Sequence, residues 1–201
     1  GRMVDQNGLE KLINDVPEDV LLCVDEAYFE FGIHAGGPNI LNGLKTRRGP
    51  WITIFTFSKA YAMAGMRIGY ALCSDSELAQ ALQKTTCVFN VPILAMVAAE
   101  AALDDTDHLR FIMESVTAAR LQLASGLEAL NLSPLPSATN FVSVKLPVPG
   151  RSVMEAMLAK GVQIHAWPDP GYENFIRITV GRFDDNDVCL KALSEVLALG
   201  T

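Results

Sequence analysis

Only four cysteines occur in 201 residues, Cys23, Cys73, Cys87 and Cys189, and no two of them form a C-x-x-C pair. That spacing argues against a structural zinc site and a disulfide framework, and three of the four lie in apolar runs where buried thiols are common. Long apolar runs are scarce as well. The longest weakly interrupted one, Val91 to Leu103, contains Pro92 and Glu100 and falls far short of the roughly 20 residues of a spanning helix, so no membrane partner is expected. Basic residues number 16 against 23 acidic ones, for a formal charge of −7, and their one short cluster is Lys45, Arg47 and Arg48. No nucleic-acid partner is expected from that balance. The first residues lack a charged segment followed by an apolar one, so nothing in them directs secretion and a cytoplasmic location is expected. His34 and His108 have no ligand spacing, and no metal site is expected.

What is present is a chain whose residues are half apolar, enough to bury a sizeable core in one large or two small domains. No internal repeat or low-complexity tract interrupts it. Apolar runs at Val20 to Val24, Trp51 to Phe57 and Ile68 to Cys73 read as buried strands. Helices are expected at Gly8 to Asn14, Asp75 to Gln83 with Ser74 as candidate cap, and Val91 to Leu103 with Pro92 in its first turn. The stretch from Gly32 to Pro50 is rich in Gly, Pro and Asn and reads as a surface connector with a short helix near Leu41 to Leu44. From Thr106 to about Leu130 the apolar positions follow a helical period. Beyond it the pattern is strand (Asn140 to Lys145), helix (Arg151 to Lys160), strand (Val162 to Ala166), strand (Phe175 to Val180) and helix (Asp184 to Leu199). The fold class expected is α/β, with residues 1–105 in a large domain on a mainly parallel sheet, 106–130 a connecting helix, and 131–201 a small α+β domain.

Ligands of an open α/β sheet gather beyond the carboxyl ends of its strands, and two polar clusters are expected there. The first, Asp25-Glu26-Ala27-Tyr28, directly follows Leu21-Leu22-Cys23-Val24. A carboxylate so placed can hold a ring nitrogen in its protonated form, and Tyr28 can donate to a phenolate oxygen. Without a ligand, Asp25 reads as a cap or solvated turn residue and Tyr28 as a packing aromatic. The second cluster runs from Thr56 to Tyr70 and sets Lys59 among small and apolar neighbours just after a strand. Partial desolvation lowers a lysine's proton affinity and makes it a usable amine nucleophile. Thr56 and Ser58 bring hydroxyls and Arg67 a guanidinium, the groups that fix a phosphate. The plain alternative is a solvated lysine in an ordinary loop. An acid, a phenol, a hydroxyl-flanked lysine and an arginine together are what pyridoxal phosphate requires: the lysine supplies the imine, and the acid keeps the pyridine nitrogen protonated.

The string D-E-A-Y-x-x-F followed by F-S-K-A-Y-x-x-A-G-x-R-I-G-Y resembles the fold-type I pyridoxal-phosphate aminotransferases, in their histidinol-phosphate aminotransferase branch. The resemblance implies that Lys59 forms the Schiff base to the cofactor, Asp25 pairs with the ring nitrogen, Tyr28 bonds the ring oxygen and Ala27 packs on the ring face. Thr56, Ser58 and Arg67 are then the phosphate-binding residues, and residues 1–105 the C-terminal part of the large cofactor-binding domain. Asn174 to Gly181 looks like the family's R-I-T-V-G segment, which implies that Arg177 clamps a substrate carboxylate. Thr139 to Val142 resembles the first strand of the family's small domain. Implied partners are a small amino donor, a 2-oxo acid, 2-oxoglutarate by resemblance, and a second copy in a homodimer.

The chain also departs from that pattern. Where the family usually ends a G-V-x-V-R strand on an arginine near the substrate phosphate, this sequence reads Gly161-Val162-Gln163-Ile164-His165. His165 is either a substrate ligand or an ordinary strand histidine, and Arg182 is a candidate substitute cation. The family carries a further cofactor-binding segment ahead of this sequence, ending in N-P-x-N-P-T-G, and Gly1-Arg2 fits its end; alternatively the pair is an appendage before Met3. On the first reading the asparagine on the ring oxygen, the stacking aromatic, the glycine-rich phosphate loop and a tyrosine reaching across the dimer lie outside this sequence, and apolar strand edges are expected to be uncovered. Transamination is the leading function. A decarboxylase or lyase of the same fold and a non-catalytic domain remain as alternatives.

Overall fold

The computed structural model describes residues 1–199, which excludes the last two residues of the expected 131–201 domain. These residues divide into two units inside one helix: Met3–Met113 forms the first, and Gly1–Arg2 with the chain from Glu114 onward forms the second.

The first unit carries a three-stranded sheet of order β1-β2-β3, with β1 at Leu22–Asp25, β2 at Trp51–Thr56 and β3 at Gly69–Cys73. β1 and β2 are parallel, with Leu22 opposite Trp51 and Asp25 opposite Ile54, whereas β3 returns antiparallel, with Thr56 opposite Gly69. The sheet is therefore mixed rather than mainly parallel in this chain. The segment after Lys59 is a turn and not a crossover helix, so the chain reverses before re-entering the sheet. β1 starts later than its apolar run because Val20 N–H bonds Pro17 O in a turn, and pairing begins at Leu22 N–H on Pro50 O.

Helix α1 (Gln6–Asp15) opens on Asp5, whose side chain accepts from Gly8 N–H, and α3 (Ile40–Leu44) opens on Asn39, which accepts from Leu41 N–H. Leu9 and Ile13 of α1 pack with Leu22, Ile40 and Leu44 in one buried cluster. The 32–50 connector is thus anchored, not wholly superficial. A short helix, α2 (Phe29–His34), stands where the sequence suggested none. Arg47 ties this layer together: Nη1 donates to Ile13 O and Val16 O at 2.9 and 2.8 Å, and Nη2 to Pro17 O and Val20 O at 2.8 and 2.9 Å. These carbonyls at and beyond the end of α1 lack helical partners, and a cation there also suits the helix dipole.

Helix α4 (Ser76–Thr85) is capped by Asp75, which accepts from Leu78 N–H at 2.9 Å. Ser74 is not the cap; its hydroxyl donates to Asp75 Oδ2 at 2.7 Å and so orients the residue that is. Helix α5 (Ile93–Asp104) takes Pro92 as its N-cap and buries Ala95 and Ala99, while Ile93, Leu94, Met96 and Val97 stay exposed. All four cysteines are free, but the expectation of buried thiols holds only for Cys189; Cys23 and Cys87 are exposed and Cys73 is half-buried. Cys23 points to the face of β1 opposite buried Leu22, away from the α1–α3 packing.

Helix α6 (Thr106–Ala129) contains the boundary between the units. The second unit has an antiparallel sheet of order β4-β6-β5, with β4 at Phe141–Lys145, β5 at His165–Ala166 and β6 at Phe175–Thr179. Strand alternation sends Val142, Val144, Ile176 and Ile178 into a core shared with Leu123 and Leu127 of α6, Val153 and Met157 of α7 (Gly150–Ala159), and Leu193 and Val196 of α8 (Phe183–Ala198). β5 is shorter than its apolar run because α7 ends in a Schellman-type turn: Gly161 sits at φ +79° and Val162 N–H returns to Met157 O. Asn186 is 1% exposed, yet its amide donates to Ala119 O and Gln122 Oε1 and its oxygen accepts from Gly181 N–H. That polar tie fixes α8 on α6 at the cost of no orphaned group.

Candidate functional site

Because β1 and β2 are parallel, their carboxyl ends share one edge of the sheet, where Asp25 closes β1 and Thr56 closes β2. Beyond β1, Asp25 Oδ1 accepts from Ala27 N–H at 2.9 Å, a tight turn that leaves the carboxyl exposed. Glu26 N–H donates to Ile54 O at 2.8 Å, which continues the strand pairing up to the turn. Tyr28 follows as the N-cap residue of α2.

Beyond β2, Thr56 Oγ1 accepts from Ser58 N–H at 3.1 Å and donates to Ser58 Oγ at 2.9 Å, so the two hydroxyls lie side by side. Lys59 Nζ stands over the Tyr28 ring, 5.7 Å from its centroid, and no carboxylate lies within ion-pair distance of it among the described residues. Lys59 is half-buried beside Ala60, which is fully buried. The fold thus brings Asp25, Ala27, Tyr28, Thr56, Ser58 and Lys59 to neighbouring ends of paired strands. Arg67 follows a short 3₁₀ turn (Ala64–Met66), sits at φ +53°, and donates from Nη1 to Ala64 O at 2.9 Å. No hydrogen bond joins it to Thr56 or Ser58; its guanidinium is exposed.

Two glutamates near this edge, Glu26 and Glu30, are held toward their neutral forms. Burial, then Asp25 and Glu30, push the Glu26 carboxyl above its ordinary value, and burial does the same to Glu30. Burial, then Glu30 and Tyr70, push the Tyr61 phenol up to about 12, and burial followed by Glu30 raises Tyr70. Both phenols therefore stay protonated, as donors, at neutral pH. A chain of rings that the sequence reading did not single out supports the lysine segment. Phe29 meets Phe55 edge-on at 5.3 Å, Phe55 stacks on Tyr70 at 4.8 Å, and Phe57 touches Tyr70 at 5.8 Å and Tyr61 at 4.9 Å. Its signal was the aromatic density of the 55–61 stretch, legible as packing but not as a linkage between two clusters.

In the second unit, Arg177 lies on the sheet face opposite the core, opposite Ser143 on β4 and His165 on β5. Its guanidinium carbon is 5.2 Å from the Phe141 ring centroid and 5.8 Å from that of Trp167, and its Nε is buried without a hydrogen-bond partner. An arginine flanked by two rings and, among the described residues, paired with no carboxylate is preorganised to take an anion. His165 meets Trp167 edge-on at 5.6 Å. Ser143, Phe141 and Trp167 were not candidates from sequence; strand alternation about Arg177 could have found the first two. Arg182 is committed elsewhere: its Nε and its backbone N–H both donate to Asp185 Oδ2, at 3.1 and 3.2 Å, at the start of α8. Among the described residues no group of three His, Cys, Asp or Glu could hold a metal ion, and no helix is long and apolar enough to cross a membrane.

Strands ending in a lysine loop and an acid, together with a small antiparallel sheet bearing a lone arginine, define a class that known structures share. The histidinol-phosphate aminotransferase of Sinorhizobium meliloti, solved in complex with pyridoxal-5'-phosphate, superposes with TM-score 0.91 at 31% identity, covering 100% of this chain and 55% of that one. The histidinol-phosphate aminotransferase of Clostridium acetobutylicum superposes with TM-score 0.87 at 21% identity over 98% of this chain and 60% of its own, a likeness of fold. In sequence, histidinol-phosphate aminotransferase 3 of Rhizobium meliloti is 35% identical over 192 residues, 96% of this chain and 52% of the relative. Histidinol-phosphate aminotransferase 2 of Pseudomonas aeruginosa is 38% identical over 200 residues, 98% of this chain and 53% of the relative. The profile of the aminotransferase class I and II family matches residues 1–193, and the chain belongs to that family. It spans about half the length of the curated relatives it matches.

Proposed function

We propose that this chain carries the cofactor lysine and the carboxylate-binding arginine of a pyridoxal-phosphate-dependent aminotransferase. The observation that carries the reading is Lys59: a half-buried amine, with no carboxylate in ion-pair distance among the described residues, stands over the Tyr28 ring at the edge where β1 and β2 end. The donor set fits the cofactor. Asp25 offers an exposed carboxyl for a protonated ring nitrogen, Tyr28 a phenol for the ring oxygen, Ala27 a small side chain for the ring face, and the adjacent hydroxyls of Thr56 and Ser58 with Arg67 a set of phosphate donors. When bound, the cofactor supplies an electron-accepting ring that stabilises negative charge at the substrate's reacting carbon.

On this reading Lys59 Nζ takes and returns the proton at that carbon, the work of a general base and then a general acid. Arg177 holds a carboxylate of the amino acid or 2-oxo acid, and its orphaned Nε and ring-flanked guanidinium favour that role. His165, beside it in the sheet, meets the rest of the substrate. The amino donor is a histidinol-phosphate-like amino-alcohol phosphate or amino acid, as the names of the relatives suggest, and the acceptor a 2-oxo acid, 2-oxoglutarate in particular. We place the reaction in the cytoplasm and in a homodimer.

The test is to supply the protein with pyridoxal phosphate, 2-oxoglutarate and a panel of donors that includes histidinol phosphate and aromatic amino acids, and to follow glutamate. Glutamate formation that disappears in Lys59→Ala supports the reading. Carbon dioxide without glutamate points to decarboxylation, and neither product with any donor makes this chain a non-catalytic portion.

A further inference from the structure

The lysine loop holds two non-glycine residues in the left-handed region, Ala62 at φ +56° and Arg67 at φ +53°. Arg67 ends a 3₁₀ turn, a place where such a conformation is common. Ala62 likewise closes a turn, its N–H on Lys59 O, but its Cβ still crowds the following carbonyl, a cost glycine would not bear. Strained residues of this kind persist only where their surroundings over-determine them. Ala62 N–H donates to Lys59 O at 3.0 Å and Met63 N–H donates to Phe57 O at 3.0 Å, so the turn closes on either side of the lysine. Phe57, 3% exposed, is fixed by its own N–H on Ile68 O at 3.2 Å and by its rings' contacts, with Tyr61 at 4.9 Å and Tyr70 at 5.8 Å.

We propose that Ala62 is a positioning residue: its left-handed backbone, clamped by the contact of Tyr61 on Phe57, holds the loop in the one conformation that places Lys59 beside Tyr28. Glycine at the same position would relieve the strain but admit other loop conformations, since it gives up the restriction a side chain imposes on φ and ψ. Stability and placement of the lysine are therefore expected to part company in Ala62→Gly. The inference rests on the reading of Lys59 as the cofactor lysine, but the clamp itself can be tested without cofactor.

The experiment measures amide hydrogen exchange at residues 62 and 63 together with the thermal midpoint, in the cofactor-free protein, for Ala62→Gly, Tyr61→Ala and Tyr61→Phe. A parallel sample is mixed with pyridoxal phosphate, reduced with borohydride and mapped. We expect Ala62→Gly to hold or raise the midpoint while exchange at both amides accelerates severalfold and labelling spreads from Lys59 to other lysines. Tyr61→Ala accelerates the same amides, and Tyr61→Phe, which keeps the ring, leaves them at the parent rate. A lowered midpoint in Ala62→Gly, or exchange and labelling unchanged from the parent, overturns the proposal. Absence of label on Lys59 in the parent protein instead sinks the cofactor reading, and leaves the exchange rates to decide on the clamp.

Discussion

The two units solve the burial problem differently. The second closes its core: helices α6, α7 and α8 and the sheet β4-β6-β5 share one cluster, in which Leu123, Leu127, Val144, Val153, Met157, Ile176 and Leu193 are fully buried. In the first, one buried cluster is small, Leu9, Ile13, Leu22, Ile40 and Leu44, while Val20, Leu21, Ile54, Tyr70 and Leu72 around the sheet and Ile93, Leu94 and Val97 on α5 remain exposed. Phe89, just ahead of α5, is 97% exposed. Single apolar residues at a surface are ordinary, but Ile93, Leu94, Met96 and Val97 are exposed together along one helix. The comparison teaches that the arginine-bearing unit is the more completely buried part of this chain, whereas the lysine-bearing unit keeps its candidate residues on a sheet that is only partly covered.

The comparison can be broken or sharpened by substitution. The largest effect is expected from Leu193→Ala, which empties a fully buried site and should cost about 2–5 kcal/mol in denaturant unfolding. The matching change on α5, Leu94→Ala, should cost under about 0.5 kcal/mol, as surface substitutions do; equal losses at the two positions would erase the contrast. Next is Arg47→Met, which removes four hydrogen bonds to backbone carbonyls and should cost about 3 kcal/mol, the scale of charged hydrogen bonds, with faster amide exchange confined to the first unit. Asp75→Ala removes the cap of α4 and should cost about 1 kcal/mol.

The smallest effect is one of pH. Burial raises the folded-state pKa of Glu30 above its ordinary 4.5, so its ionisation is penalised in the fold. Its contribution to stability is whole below pH 4.5 and is lost as pH rises through the folded value. Glu30→Gln should accordingly raise the thermal midpoint at pH 7, and the gain should vanish below the ordinary value. A gain that persists in acid would assign the effect to packing.

Much of this architecture was legible in the sequence because local signals and burial agree. The alternation of Phe141 to Lys145 and Phe175 to Thr179 and the period of α6 gave element types, and the strand ends gave Asp25 and Lys59 their place on a common edge. Other features depend on partners far along the chain. The turn before β3 was legible from its glycine, but its left-handed residues are alanine and arginine, so the antiparallel return of the strand carried no cue. Arg47 looked like part of a basic surface cluster because its carbonyl partners lie about thirty residues away. The exposure of Cys23 reflects which sheet face is covered, and hydrophobic runs carry no record of that.

The most direct test of the central claim is to mix the protein with pyridoxal phosphate, reduce with borohydride and locate the added mass by peptide mapping. The account predicts label confined to Lys59 and lost in Lys59→Ala. Label spread over the lysines, or none at all, would contradict the view that these residues form a cofactor site.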